Sequence, residues 1–320
     1  AAGVVADGRR LLANVVASQA AVHARYGGVV PEVASRHHLE AILPVVGAAL
    51  REARCRPEDL EAIAVTAGPG LAGSLLVGLN TAKALAYAWE KPLIGVNHLE
   101  GHLYAAWLEQ DPSRPQPEPA LPAVVLIVSG GHSEIVLAEA HGRYRLLGRT
   151  RDDAAGEAFD KAARVLGLGF PGGPAIERKA REAGPKPPRL PRAWLGDSND
   201  FSFSGLKTAV MRAAQEAKAP VADIAAGFQA AVIDVLTAKA VRAAESAGAR
   251  SILLTGGVAA NGPLRDTLRQ RSPVPVLAPP PVLCTDNGAM IAAAGHFTAA
   301  SGRASLDLDV RASWPVAEPG

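Results

Sequence analysis

Two histidines four residues apart, in the run Asn97-His98-Leu99-Glu100-Gly101-His102, leave one face of a helix together and can grip a single metal ion. Imidazoles suit Zn(II) or Fe(II), and the pair needs at least one more ligand from elsewhere in the chain. The peptidase pattern H-E-x-x-H sets a glutamate directly after the first histidine, beside the metal-bound water. Here Glu100 follows one position later, about 200° round the helix from His98 at roughly 100° per residue, and faces away from both rings. A metal peptidase would lack its base.

A second set of candidates is a series of glycine turns. Val128-Ser129-Gly130-Gly131-His132 lies between two apolar stretches, where its backbone amides can converge on a phosphate. Thr255-Gly256-Gly257-Val258-Ala259-Ala260-Asn261 ends a strand and opens a helix whose start favours anions. Phe170-Pro171-Gly172-Gly173-Pro174 precedes another helix, with Glu177 one turn in. Each turn alone is also an ordinary connection; three together suggest a nucleotide. Basic residues gather at Arg143, Arg145, Arg149 and Arg151, and again at Arg178, Lys179, Arg181, Lys186, Arg189 and Arg192. Such runs are either solvated loops or an electrostatic footprint for nucleic acid.

These residues need a large scaffold, and 320 residues with 48% hydrophobic content can supply two lobes. A strand from Ala1 to Val5, a turn at Asp7-Gly8 and a return strand from Leu11 to Val16 open the chain, which starts without a methionine, as if a segment preceded it. The loop through Gly27-Gly28 leads to a helix predicted from Ser35 to Arg54, with Pro44 kinking or restarting it. A strand from Glu61 to Thr66, a helix from Leu71 to Trp89 and a buried strand from Leu93 to Val96 then deliver the chain to the histidine helix. Open α/β sheets place ligand sites at such strand-to-helix junctions.

A Pro-rich linker at 111–122 separates an N-terminal lobe, 1–110, from a C-terminal nucleotide-binding lobe, 123–287. The second lobe reads as strands Ala123 to Val128 and Glu134 to Ala138, then helices at Gly156 to Leu166, Pro174 to Ala183, Gly205 to Lys218 and Val221 to Ala247. Strand Ser251 to Thr255, helix Gly262 to Arg271 and strand Val274 to Leu277 complete it, and a last helix near 288–300 packs back on the first lobe. No run approaches the roughly 18 uninterrupted apolar residues of a membrane span, and no signal segment is evident, so the cytoplasm is expected. Cys55 and Cys284 lie far apart and form no C-x-x-C, which leaves them as reduced packing residues.

The chain resembles the universal tRNA threonylcarbamoyladenosine synthase catalytic subunits, called TsaD in bacteria and historically misnamed O-sialoglycoprotein endopeptidases. The matching blocks run in order: Val30 to Arg36, Thr66 to Gly78, Asn97 to His102, Val128 to His132, Gly156 to Lys161, Phe170 to Pro174, Phe201 to Lys207, Thr255 to Asn261 and Thr285 to Met290. The resemblance implies an α/β, two-lobed actin/Hsp70/sugar-kinase-like (ASKHA) fold with a central interlobe cleft. It also implies one divalent metal, Fe(II) or Zn(II), on His98, His102 and, from the other lobe, Asp286. Val128, Ser129, Gly130, Gly131 and His132 are expected at the phosphate and acyl end of the substrate. Asp160, Gly173, Glu177 and Asn261 are expected around the ribose and adenine; Glu177 stands where many relatives carry aspartate. Relatives begin with a strand and an Asp/Glu-Thr-Ser-Cys-Asp segment upstream of Ala1.

The implied reaction moves a threonylcarbamoyl group from threonylcarbamoyl-AMP to N6 of the adenosine 3′ of the anticodon, position 37, in tRNAs reading codons that start with A. AMP is released. No residue outside the metal site is assigned a catalytic role; His132 can orient substrate, move a proton or be structural. Arg178, Lys179, Arg189 and Arg192 are the candidate tRNA phosphate contacts. Implied partners are a paralogous TsaB-type subunit and a TsaE-type small ATPase, with no membrane. The alternative is an ATP-dependent small-molecule kinase or ATPase of the same fold.

Overall fold

The computed structural model describes residues 1–26, 28–109, 117–216, 219–299 and 305–317. Two compact units emerge: Ala1–Pro119, Ala140–Arg143 and Thr285–Glu318 make the first, while Ala120–Glu139 and Tyr144–Cys284 make the second. Residues 110–116, which include half of the Pro-rich linker, lie outside the described residues, as do Gly27 and residues 217–218.

The first unit opens with an antiparallel hairpin of β1 (Ala2–Ala6) and β2 (Arg10–Val15). After a short α1 (Ala20–Ala24) comes α2 (Pro31–Ala53), a single helix of 23 residues. It starts four residues before the expected Ser35, because proline suits a first helical position: its φ is preset and the missing N–H has no partner there anyway. Pro44 does not end it. That residue sits on the exposed face, where water can satisfy the carbonyl left without a donor. Strand β3 (Ile63–Gly68), helix α3 (Ala72–Ala88) and strand β4 (Leu93–Asn97) form a parallel crossover, and α4 (His98–Tyr104) follows without a loop.

The second unit is built on a five-stranded sheet. Strands β5 (Ala123–Val128), β6 (Ser133–Ala140) and β7 (Arg143–Arg149) come first, followed by α5 (Ala155–Val165), α6 (Gly172–Ala180), α7 (Ser204–Gln215) and α8 (Val221–Ala247). Then come β8 (Ser251–Thr255), α9 (Gly262–Arg271), β9 (Val276–Leu277) and α10 (Pro281–Cys284). The strand order is β7-β6-β5-β8-β9, with β5 antiparallel to β6 and parallel to β8. Every residue of β5 and β8 is buried, as expected of strands covered on both faces. Helix α8 is long and apolar enough by composition to cross a membrane, but 67% of its most apolar stretch is buried within the fold, which makes it a core helix.

The first basic run is a strand rather than a loop. Arg143, Arg145 and Arg149 project outward from β7 at the sheet edge, where like charges discourage pairing with another chain.

The last helix, α11 (Gly288–Thr298), belongs to the first unit and packs on α4, β1 and β3. The chain leaves the second unit after Cys284, not after residue 287. Asp286 therefore shares a unit with His98 and His102 instead of arriving from the other lobe.

Candidate functional site

Helix α4 is only seven residues long, so its position is set by its ends and its neighbours more than by its own propensity. Asn97 caps it, its side-chain oxygen accepting from the Leu99 N–H at 2.8 Å. Helical spacing then stacks His98 and His102 on one face, ring centroids 4.8 Å apart. The mid-helix glycine between them has a packing reason: a Cβ on Gly101 would come within 2.6 Å of the Ile291 side chain on α11. That close approach brings the α11 start, capped by Asn287 through the Met290 N–H at 2.9 Å, up to the histidine face.

Asp286, one residue before that cap, lies 3.4 Å from His98 Nε2 and 3.3 Å from His102 Nε2 through the same carboxylate oxygen. The three donor atoms sit within 4.8 Å of one another and are the cluster of this kind among the described residues; Glu100, fully buried, is not part of it. The spacings are long for an N–H···O bond, which prefers 2.7–3.2 Å. They match the edge of a tetrahedron of ligands about 2.0–2.1 Å from a central ion, roughly 3.3 Å. Two imidazoles and a carboxylate also form a donor set that a borderline divalent cation accepts.

The electrostatics agree. Burial would lift the Asp286 carboxyl, but the polar N–H edges and the charge of the neighbouring His102 and His98 rings hold it well below the usual carboxylate range. Burial is the largest single influence on it, and the two rings together outweigh it, although water reaches the carboxylate, which is 77% exposed, and screens their effect. His98, opposed by burial but favoured by Asp286, titrates above an ordinary imidazole, and His102 below it because burial dominates. His102 Nδ1 is buried with no hydrogen-bond partner among the described residues.

In the second unit the glycine turns converge. A Cβ on Gly256 would lie 2.4 Å from the Val128 carbonyl oxygen, one on Gly156 would lie 2.5 Å from that of Ser129, and one on Gly172 would meet the Asp160 backbone at 2.5 Å. Gly130, Gly131 and Gly173 instead face open space. The Ser129–His132 turn is closed by its own backbone, Ser129 N–H donating to the His132 carbonyl at 2.8 Å and His132 N–H donating to Ser129 Oγ at 3.1 Å. Asp160 accepts from the Gly172 N–H at 2.7 Å, while burial pushes its carboxyl upward.

Glu177 and Asn261 meet, with a division of labour. The Asn261 amide donates to Glu177 at 3.3 Å and to Gln229 at 2.9 Å, and its oxygen caps α9 through the Leu264 N–H at 3.0 Å. Both of its donors and its acceptor are thus engaged within the fold, and Glu177, also held by Arg181 at 2.7 Å, is what Asn261 orients. Gln229 was not legible as a partner, since it sits in the apolar stretch of α8 with no motif around it.

A further organiser carries no sequence motif of its own. Asp152 accepts from Ser202 Oγ at 2.5 Å, Phe203 N–H at 2.8 Å and Ser204 Oγ at 2.8 Å, and so holds the Phe201–Lys207 block in place. The candidate tRNA contacts divide. Arg178 and Arg189 are exposed. Lys179 pairs with Glu182 at 2.7 Å, and Arg192, with 14% of its side chain exposed, turns onto Asp234 at 2.7 Å.

Comparison with known proteins now decides the family. The model of "TsaD: tRNA N6-adenosine threonylcarbamoyltransferase" matches residues 10–293. The chain belongs to the TsaD family. A tRNA N6-adenosine threonylcarbamoyltransferase of Thermomicrobium roseum is 58% identical over 99% of this chain and 93% of its own length. One of Dehalococcoides mccartyi is 55% identical over 97% of this chain and 94% of its own. Among solved structures, component A of the Acidaminococcus fermentans (R)-2-hydroxyglutaryl-CoA dehydratase superposes with a TM-score of 0.55 at 16% identity, covering 93% of each chain. HypF of T. kodakarensis superposes with a TM-score of 0.60 at 15% identity, over 82% of this chain and 43% of that longer one. At such identities these two likenesses concern the fold alone, and they place this TsaD-family chain among ASKHA-like folds.

Proposed function

We propose that this TsaD-family protein transfers a threonylcarbamoyl group from threonylcarbamoyl-AMP to N6 of adenosine 37 in tRNAs reading codons that start with A, with release of AMP. The amine nitrogen attacks the carbamoyl carbonyl carbon, a new C–N bond forms, the bond to the phosphate oxygen breaks with its electrons leaving on AMP, and the amine proton passes to solvent. The observation that carries the reading is the His98, His102 and Asp286 cluster in a chain matched to this family along most of its length.

His98, His102 and Asp286 would hold one divalent cation, Fe(II) or Zn(II), which when bound supplies Lewis acidity toward an acyl oxygen. The residues around it do the positioning. Asn97 and Asn287 fix the two helix starts that carry the donors, and the buried ring of His102 stays neutral and able to ligate.

In the second unit, the open faces of Gly130 and Gly131 suit a phosphate approached by backbone amides. Asp160 and Glu177 accept hydrogen bonds from ribose hydroxyls, Glu177 steadied by Asn261. His132 keeps the turn closed through its backbone, so no proton-transfer role is assigned to it. The exposed Arg178 and Arg189 contact tRNA phosphates. A TsaB-type subunit and a TsaE-type ATPase act with it in the cytoplasm.

The test is transfer from synthetic threonylcarbamoyl-AMP to unmodified tRNA, with and without the two partners. Modified adenosine and stoichiometric AMP are expected. Folded, metal-loaded protein that makes neither under any of these conditions overturns the proposal.

A further inference from the structure

The block Thr66–Gly78 has no part in the chemistry above, nor has the end of the chain. The structure connects them. Residues 305–317 run along the first unit as a strap: Ser305 N–H donates to the Leu93 carbonyl at 3.2 Å, Arg311 N–H to the Ala67 carbonyl at 2.7 Å, and Gly70 N–H to the Ala312 carbonyl at 3.1 Å. Leu308 and Val310 pack against the Val65–Leu79–Ala82 cluster, and the Arg311 guanidinium lies 4.8 Å over the Trp314 ring.

Gly68 makes room for this strap. A Cβ there would come within 2.0 Å of the Arg311 carbonyl oxygen, and φ is +157°. The glycine turn at the end of β3 is therefore a socket for residues 305–317.

The strap ends on the histidine helix. Asn97 Nδ2 donates to the Trp314 carbonyl at 3.0 Å and to the Pro315 carbonyl at 3.3 Å, while Oδ1 of the same amide caps α4. Asn97 is 1% exposed, and His98 is the next residue, the first of the helix. One side chain thus ties the strap to the turn that aims His98, whereas His102 is set mainly by the α4–α11 contact at Gly101.

Resting on the metal reading above, we propose that Asn97 is a positioning residue for the His98–His102–Asp286 cluster, locked by the carbonyls of Trp314 and Pro315 in the C-terminal strap. Asn97→Asp isolates the effect: it keeps the capping oxygen but sets an anion against two carbonyls. Gly68→Ala unseats the strap from its other end. Trp314→Phe keeps the backbone carbonyls and is the conservative control.

The experiment is cobalt(II) titration of the full chain by absorption, with zinc(II) competition. Ligand-orienting partners are typically worth about 10- to 100-fold in metal affinity, and that loss is expected for Asn97→Asp and Gly68→Ala, with an altered cobalt spectrum. The double variant should lose less than the product of the singles, because both break one connection. Excess metal should restore transfer by Asn97→Asp, and Trp314→Phe should bind as wild type does. If wild type binds cobalt and His102→Ala does not, yet Asn97→Asp and Gly68→Ala bind normally, the strap inference is wrong and the metal reading stands. Equal cobalt uptake by wild type and His102→Ala removes the metal reading and the inference with it. A Gly68→Ala chain that fails to fold leaves the decision to Asn97→Asp.

Discussion

The donor cluster of the first unit and the glycine turns of the second are organised in opposite ways. The cluster is small, and its two imidazoles are aimed by one short helix whose start is capped and strapped. Its geometry depends on a few strong local restraints. The turns spread over three connections, held by close backbone approach or by a buried amide network centred on Asn261. Their geometry depends on the packing of the whole sheet. A change at one donor should therefore abolish one capability outright, whereas a change among the turns should degrade binding in steps.

The sharpest break is His102→Ala. Metal retention should be lost and transfer should fall by roughly 10²–10³-fold or more, the scale set by removing oxyanion stabilisation, while the thermal midpoint stays near wild type. Metal analysis after desalting checks it, and retained stoichiometric metal would defeat the assignment. Next in size is Asn261→Ala, which removes an N-cap worth about 1 kcal/mol and frees Glu177. It should raise KM for the adenylate more than it lowers kcat, and leave metal content unchanged. A loss of metal here would erase the contrast between the two units.

A smaller effect is expected from Arg189→Gln. The slope of log affinity for tRNA against log salt should flatten by about 0.7–0.9 for one phosphate that the protein no longer neutralises. Arg192→Gln should instead lower stability through its pair with Asp234, with the slope unchanged.

The smallest effect concerns pH. Burial works against it, but hydrogen bonds from Ser202, Phe203 and Ser204 depress the Asp152 carboxyl below its ordinary value. A depressed folded pKa contributes stability above the unfolded value, about 3.9, and that contribution fades as pH falls through the folded one. Thermal midpoints of wild type and Asp152→Ala should therefore differ at neutral pH and converge in acid. A constant gap down to acid would exclude the carboxylate as the hub.

Local pattern was enough for much of this. Period-two runs and the long apolar stretch at 221–247 read correctly because their signal lies within a few residues. Strand β7 did not, since its arginines mask the alternation, and α2 starts early because Pro31 reads equally well as a loop residue. Residues 305–314 alternate polar and apolar as a strand would, yet nothing local says where they pair; their partners at Ala67, Leu93 and Asn97 lie more than two hundred positions away.

Residue type and spacing alone determined that His98 and His102 share a helical face, that Glu100 is misplaced for a peptidase, and that two of the three glycine turns border strands. These follow from helix and strand geometry, which is local. Only the tertiary structure decided that Asp286 shares their unit, that Asn261 holds Glu177, and that the chain's end anchors Asn97. Those outcomes depend on which distant surfaces pack together, and packing is a property of the whole core rather than of any stretch of chain.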